Sequence, residues 1–126
     1  MDDAQTQQST EFTNSSRQAA LARGALVDIS DLGREHGLHA PLAVTPAVYR
    51  RYVLLPGGPF QTDAVGSVWP PLHWLLVDLE FAPGVWASKV FRIQDDANQV
   101  TFPRLKAVAV RDIEGRAAVT VLLHDE

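Results

Sequence analysis

The chain has 126 residues, 46% of them hydrophobic and 21% charged, with a formal net charge of −4, the size and composition of one globular domain with its own core. It contains no cysteine, which excludes disulfides, thiolate metal sites and cysteine nucleophiles and suits a reducing compartment. Residues 1–13 hold Asp2, Asp3 and Glu11 and no basic residue, so the body of the chain is nearly neutral and offers little general attraction for nucleic-acid phosphates.

Residues 1–13 are rich in Gln, Thr, Ser and Asp. They are expected to form a disordered acidic tail, because so little apolar surface does not offset the entropy of ordering. Residues 14–126 are expected to form a single domain. The start of the chain lacks the basic and apolar regions of a secretory signal. The densest apolar stretch, 68–82, is interrupted by Pro70, Pro71, His73, Asp78 and Glu80 and is too short and polar to span a bilayer. A cytoplasmic protein with no membrane partner is the expectation.

The first helix is predicted over 17–22, capped by Ser15 or Ser16 and stopped by Gly24. Residues 25–29 read as a short extended segment. Ser30 is placed to cap a helical turn over 31–35, which Gly37 ends. Residues 41–44 read as a second short extended piece. Thr45-Pro46 is a strong helix start, and the helix is predicted to run to about Val53 with Val48, Tyr52 and Leu55 on its apolar face. Pro56-Gly57-Gly58-Pro59 breaks the chain, and 60–66 reads as loop.

The best helix lies within 67–82 and is expected to start near Pro70-Pro71, with Ser67 as a cap. Leu72, Leu75, Leu76 and Leu79 make an i, i+3, i+4, i+7 stripe, which Trp69, Trp74 and Phe81 are expected to extend. Three strands follow, over 86–94, 102–111 and 117–123. They are joined by turn chemistry at Asp95-Asp96-Ala97-Asn98-Gln99 and by Asp112-Ile113-Glu114-Gly115. The expected fold is therefore α+β: a helical N-terminal half packed on a three-stranded antiparallel C-terminal meander. The helix over 70–81 closes the sheet. Such a sheet leaves both edges open, and edge pairing with a second copy would make a homodimer.

No catalytic, metal-binding or cofactor signature stands out. His36 and His39 lie near Glu35, but a metal site needs further ligands in a closed geometry. His73 has Asp78 five positions on, which is not a same-face offset, so an enzyme using His36, His39 or His73 is the least favoured reading. Gly66-Ser67 lacks the second glycine of a nucleophile elbow. Gly57-Gly58 lacks the residues of a phosphate loop. Asp95 and Asp96 do not match a calcium loop.

The cluster Tyr49-Arg50-Arg51-Tyr52 combines residue types that favour interfaces and also suit phosphate contact and base stacking. Trp69, Trp74 and Trp86 sit around the long helix and the sheet entry. Core packing is the default for them, whereas an exposed one marks a contact surface. Tyr49, Arg50, Arg51, Trp69 and Trp86 are the candidate partner-binding residues.

The run from Ser16-Arg17-Gln18-Ala19-Ala20 through Gly24-Ala25-Leu26-Val27-Asp28-Ile29-Ser30, then Arg34-Glu35-His36-Gly37 and Pro41-Leu42-Ala43-Val44-Thr45-Pro46-Ala47-Val48-Tyr49, resembles a family of uncharacterised proteins from plasmids and phages. Gly66-Ser67-Val68-Trp69 and the terminal run Ala118-Val119-Thr120-Val121-Leu122-Leu123 are similar to two further segments of that family. After Trp69 the chain departs from it, with Pro70-Pro71 in place of an acidic and apolar pair, and the middle loops differ in length. The resemblance implies no catalytic residues. It implies a cargo protein of mobile DNA, travelling with genes that blunt host defences. The expected function is a non-enzymatic interaction protein that binds a host protein complex, an inhibitor of a nucleic-acid-targeting defence in the manner of an anti-CRISPR. The alternative is a small nucleic-acid-binding accessory or regulatory protein built on Arg50 and Arg51.

Overall fold

Five strands form one mixed sheet in the computed structural model, which describes residues 14–63, 66–93, 104–111 and 115–126. They are β1 (Val27–Asp28), β2 (Leu42–Val44), β3 (Trp86–Arg92), β4 (Arg104–Arg111) and β5 (Ala117–Leu123), in the order β1-β2-β5-β4-β3. The three-stranded meander is thus only part of the sheet. β3, β4 and β5 are antiparallel as expected, but β2 lies parallel to β5, with Leu42 opposite Val119 and Val44 opposite Val121. β1 adds antiparallel outside β2. Bonds from Thr45 N–H to the Val121 carbonyl at 3.1 Å and from Val119 N–H to the Pro41 carbonyl at 2.9 Å extend the parallel ladder.

The reason the sheet exceeds the expectation is physical. Strands of two and three residues carry no readable alternation, and β2 is buried on both faces, so Leu42, Ala43 and Val44 form an unbroken apolar run. Their partner is chosen by tertiary packing. β5 becomes the central strand, which accounts for the near-continuous burial of Val119, Thr120, Val121 and Leu122.

Helix α1 (Asn14–Ala22) and helix α2 (Ser30–Glu35) end in the same way. After α1, Gly24 takes φ +80° and Ala25 N–H bonds back to the Ala20 carbonyl; after α2, Gly37 takes φ +85° and Leu38 N–H bonds back to Gly33. Both stops are the left-handed glycine termini that the sequence announces. The start of α2 differs from expectation. Ser30 does not cap it. Its N–H donates to Asp28 Oδ1 at 2.8 Å, and its hydroxyl accepts from Leu42 N–H at 3.0 Å, joining β1 to β2. Thr45 does cap α3 (Pro46–Val48), accepting from Val48 N–H, and the helix continues as a wide π turn over Tyr49–Val53.

Helix α4 (Trp69–Glu80) lies across one face of the sheet. Trp69, Leu72, Leu75 and Leu79 are buried against Leu42, Val44, Leu105, Ala107, Ala109, Val119 and Val121. Each such leucine stabilises the fold by about 1.5–3 kcal/mol relative to exposure. Ser67 does not cap α4: its N-cap is Val68, and the Ser67 hydroxyl is buried without a hydrogen bond among the described residues. Arg111 Nη2 donates to the Leu79 carbonyl at 2.8 Å, tying the end of α4 to β4. Lys89 Nζ meets Asp78 Oδ2 at 3.3 Å, a part-exposed pair worth well under about 1 kcal/mol.

The opposite face of the sheet carries two smaller clusters. Ala43 packs with Ala20 and Leu26 beneath α1. Val108, Val110 and Leu122 pack with Trp86 and Ala118. Among the described residues no helix is long and apolar enough to cross a membrane. The acidic tail over 1–13 and the turn over 95–99 lie outside the described residues, as do residues 112–114 of the second connection.

Asp28 gives the fold a measurable acid dependence. Burial pushes its carboxyl up, but hydrogen bonds from Ser30 and the charges of Arg17 and Arg34 outweigh burial and hold it below its ordinary value. The unfolded chain therefore binds more protons in acid than the native one. Asp28's contribution is complete above about pH 4 and is lost as pH falls through the folded value. Urea denaturation of wild type and Asp28→Asn should differ in midpoint at neutral pH and converge towards about pH 2. A difference that grows on acidification would contradict this assignment.

Candidate functional site

Three surface features draw on the chemistry-bearing residues. The first is the outer face of α4. Trp74, Val77 and Phe81 share it by i, i+3, i+7 spacing, opposite the leucine stripe, and Trp74 and Phe81 are 63% and 82% exposed. The expected role of Trp74 and Phe81 in extending the core stripe is therefore corrected. Trp74 is two residues past Leu72 and Phe81 two past Leu79, about 200° around the helix, so they face away from the sheet. A helix apolar on both faces belongs inside a protein or an assembly. Here one face meets the sheet and the other meets solvent.

The second feature is the π turn. Arg50 and Arg51 are exposed, and the Arg51 guanidinium lies 5.4 Å from the centre of the Tyr52 ring, an exposed cation–π contact. Tyr52 is buried in the main core and Tyr49 packs against it. The turn presents two exposed arginines on an anchored base.

The remaining predicted contacts lie apart. Trp69 is 2% exposed and is therefore a core residue. Its indole stacks on the His36 ring at 4.6 Å between centroids and takes the Phe60 ring edge-on at 5.9 Å. Trp86 is half-buried on the other face of the sheet, over the Val108 cluster.

The third feature is an open cleft of about 1490 Å³ at the end of the sheet where β2 and β5 begin. Arg17, Arg34, Arg111 and Arg116 line it, with Asp28, Asp31 and Glu80 as counter-charges and Leu21, Leu76, Val77 and Val110 among its apolar walls. Arg34 pairs with Asp31 one turn earlier on α2. Arg17 is 4% exposed, and its Nε and Nη2 have no hydrogen-bond partner among the described residues. Burial draws the Arg17 pKa below its ordinary value, and the charge of Asp28 partly restores it.

His39 and His73 line this cleft, whereas His36 does not. His36 is turned onto Trp69, and its Nδ1 lies 2.7 Å from Asp63 Oδ1. Among the described residues no group of three or more His, Asp or Glu is placed to hold a metal ion.

Sequence reasoning missed the two features of greatest interest. The 74/77/81 spacing was available in the sequence, out of phase with 72/75/79, and would have shown an outward apolar strip. Nothing local marks Arg17, because its burial depends on how α1 is laid against the sheet. Comparison with protein-family models, curated proteins and solved structures gives no significant match for this chain.

Proposed function

We propose that this chain is a non-enzymatic interaction protein that engages a partner protein through the outer face of α4. The observation that carries the reading is the solvent exposure of Trp74, Val77 and Phe81 on one helix face. Large aromatic side chains left in water are costly to solvate, and they supply most of the binding energy when a partner covers them. The outward strip is flanked by Asp78 and Glu80, a polar rim of the kind that surrounds such anchors. The partner is a host protein assembly, and the activity is inhibition of a nucleic-acid-targeting defence. Support for that part is the resemblance of the first third of the chain to plasmid- and phage-borne proteins.

The test is purification of a stoichiometric complex from the host with wild type and with the Trp74→Glu/Phe81→Glu double variant. The double variant should lose the complex by at least tenfold while its melting temperature changes little, since neither side chain is in the core. Retention of the complex at wild-type affinity would reject this face as the interface. Sedimentation of the free protein forms the second arm. A homodimer dissolved by the same double variant would assign the strip to self-association instead.

A further inference from the structure

We infer that the cleft at the end of the sheet binds a small oxyanion, a carboxylate or phosphate carried on an apolar body, with the Arg17 guanidinium as its principal contact. Arg17 is the reason. It is 4% exposed and lines the cleft, and its Nε and Nη2 are buried without acceptors among the described residues. A buried charge normally comes with partners that satisfy its hydrogen bonds. An aliphatic side chain would cover the same wall without that cost, so the guanidinium serves something that enters the cleft. Asp28 faces it and supplies part of the counter-charge, but the Asp28 carboxylate accepts from Ser30 N–H. The directional N–H groups of Arg17 are what remain.

The chemistry of the occupant follows from the donors. A guanidinium edge presents two parallel N–H groups matched to two oxygens of one carboxylate or phosphate. Among the described lining residues, Arg34 is paired with Asp31 and Arg111 with the Leu79 carbonyl. A single guanidinium fork suits one small anion rather than a polyanion. Leu76 and Val110 give the cleft apolar walls, so the anion is expected to carry an apolar group. The volume, about 1490 Å³, exceeds that of ordinary small-molecule sites and sets no size limit. Val77 and Glu80 border both the cleft and the outer face of α4, but this inference uses neither Trp74 nor Phe81 and does not rest on the proposed function.

The experiment titrates the full chain with inorganic phosphate, phenyl phosphate and benzoate at constant ionic strength, following amide shifts by NMR. At least one of the organic anions should saturate at concentrations below about 10 mM and bind more tightly than inorganic phosphate. Tighter phenyl phosphate identifies a phosphoester ligand, and tighter benzoate a carboxylate. Arg17→Gln should weaken binding by about tenfold or more, the scale of a charge-assisted hydrogen-bonded pair. Asp28→Asn should strengthen it severalfold, because the amide keeps an acceptor for Ser30 N–H while removing the competing charge. Opposite signs from two neighbouring substitutions separate ligation from a structural effect. If Arg17→Gln does not fold, the Asp28→Asn increase stands as the test. No saturable binding by any of the three anions, or no change in either variant, would overturn the assignment.

Discussion

Replacing Phe60 with alanine should lower the unfolding free energy by about 3–5 kcal/mol, at the top of the range for a single core truncation. Phe60 belongs to a stretch that reads as loop, yet it is fully buried and is the largest side chain with no exposure among the described residues. It packs edge-on against Trp69 at the start of α4, so its removal opens a cavity at the junction of α3, α4 and the sheet. A single domain is stable by only about 5–15 kcal/mol, so this one truncation takes a large fraction of the total. Trp74→Ala serves as the control. It removes a larger side chain, but one exposed to solvent, and should change stability by less than about 0.5 kcal/mol. Urea denaturation of both variants measures the contrast. Equal destabilisation would mean that the outer face of α4 is packed rather than free.

Leu42→Ala is the second large effect, with an expected loss of about 2–5 kcal/mol. Leu42 is fully buried in β2, and its backbone is paired in parallel with Val119 at the centre of the sheet. The consequence extends beyond its size. If the C-terminal strands formed a self-sufficient meander, damage at residue 42 would leave them folded, and unfolding would show two steps. Because β2 pairs with the central strand, the loss should be global. Far-ultraviolet circular dichroism and tryptophan fluorescence should then report one coincident transition shifted to lower urea. Separated transitions would show that the N-terminal strands are an appendage.

These two residues also mark where sequence reading stopped. Thr45-Pro46, Gly24 and Gly37 declared helix ends, and each holds the conformation that its chemistry demands. The leucines of α4 declared a buried stripe, and Leu72, Leu75 and Leu79 are buried. Alternating residues declared β4, and the run 117–123 matches β5. All of these are local signals, set by capping, backbone conformation and side-chain period. By contrast, Leu42 carried no sign of its partner, because a parallel pairing across more than seventy residues leaves no periodic trace in either segment. Phe60 was hidden in the same way: a loop side chain is buried only if other elements close over it. The candidate site was less legible than the fold. Arg50 and Arg51 are the exposed cations that their sequence suggests, whereas Trp69, a candidate contact by residue type, belongs to the core.

By itself the sequence determined the helix boundaries to within a few residues, the C-terminal hairpin order and the absence of thiol chemistry, because those follow from interactions within a turn or two of chain. The five-stranded parallel–antiparallel order, the burial of Arg17 without an acceptor among the described residues and the outward turn of Trp74 and Phe81 were decided only by tertiary structure. Each depends on which distant surfaces exclude water from one another, and that is a property of the assembled fold.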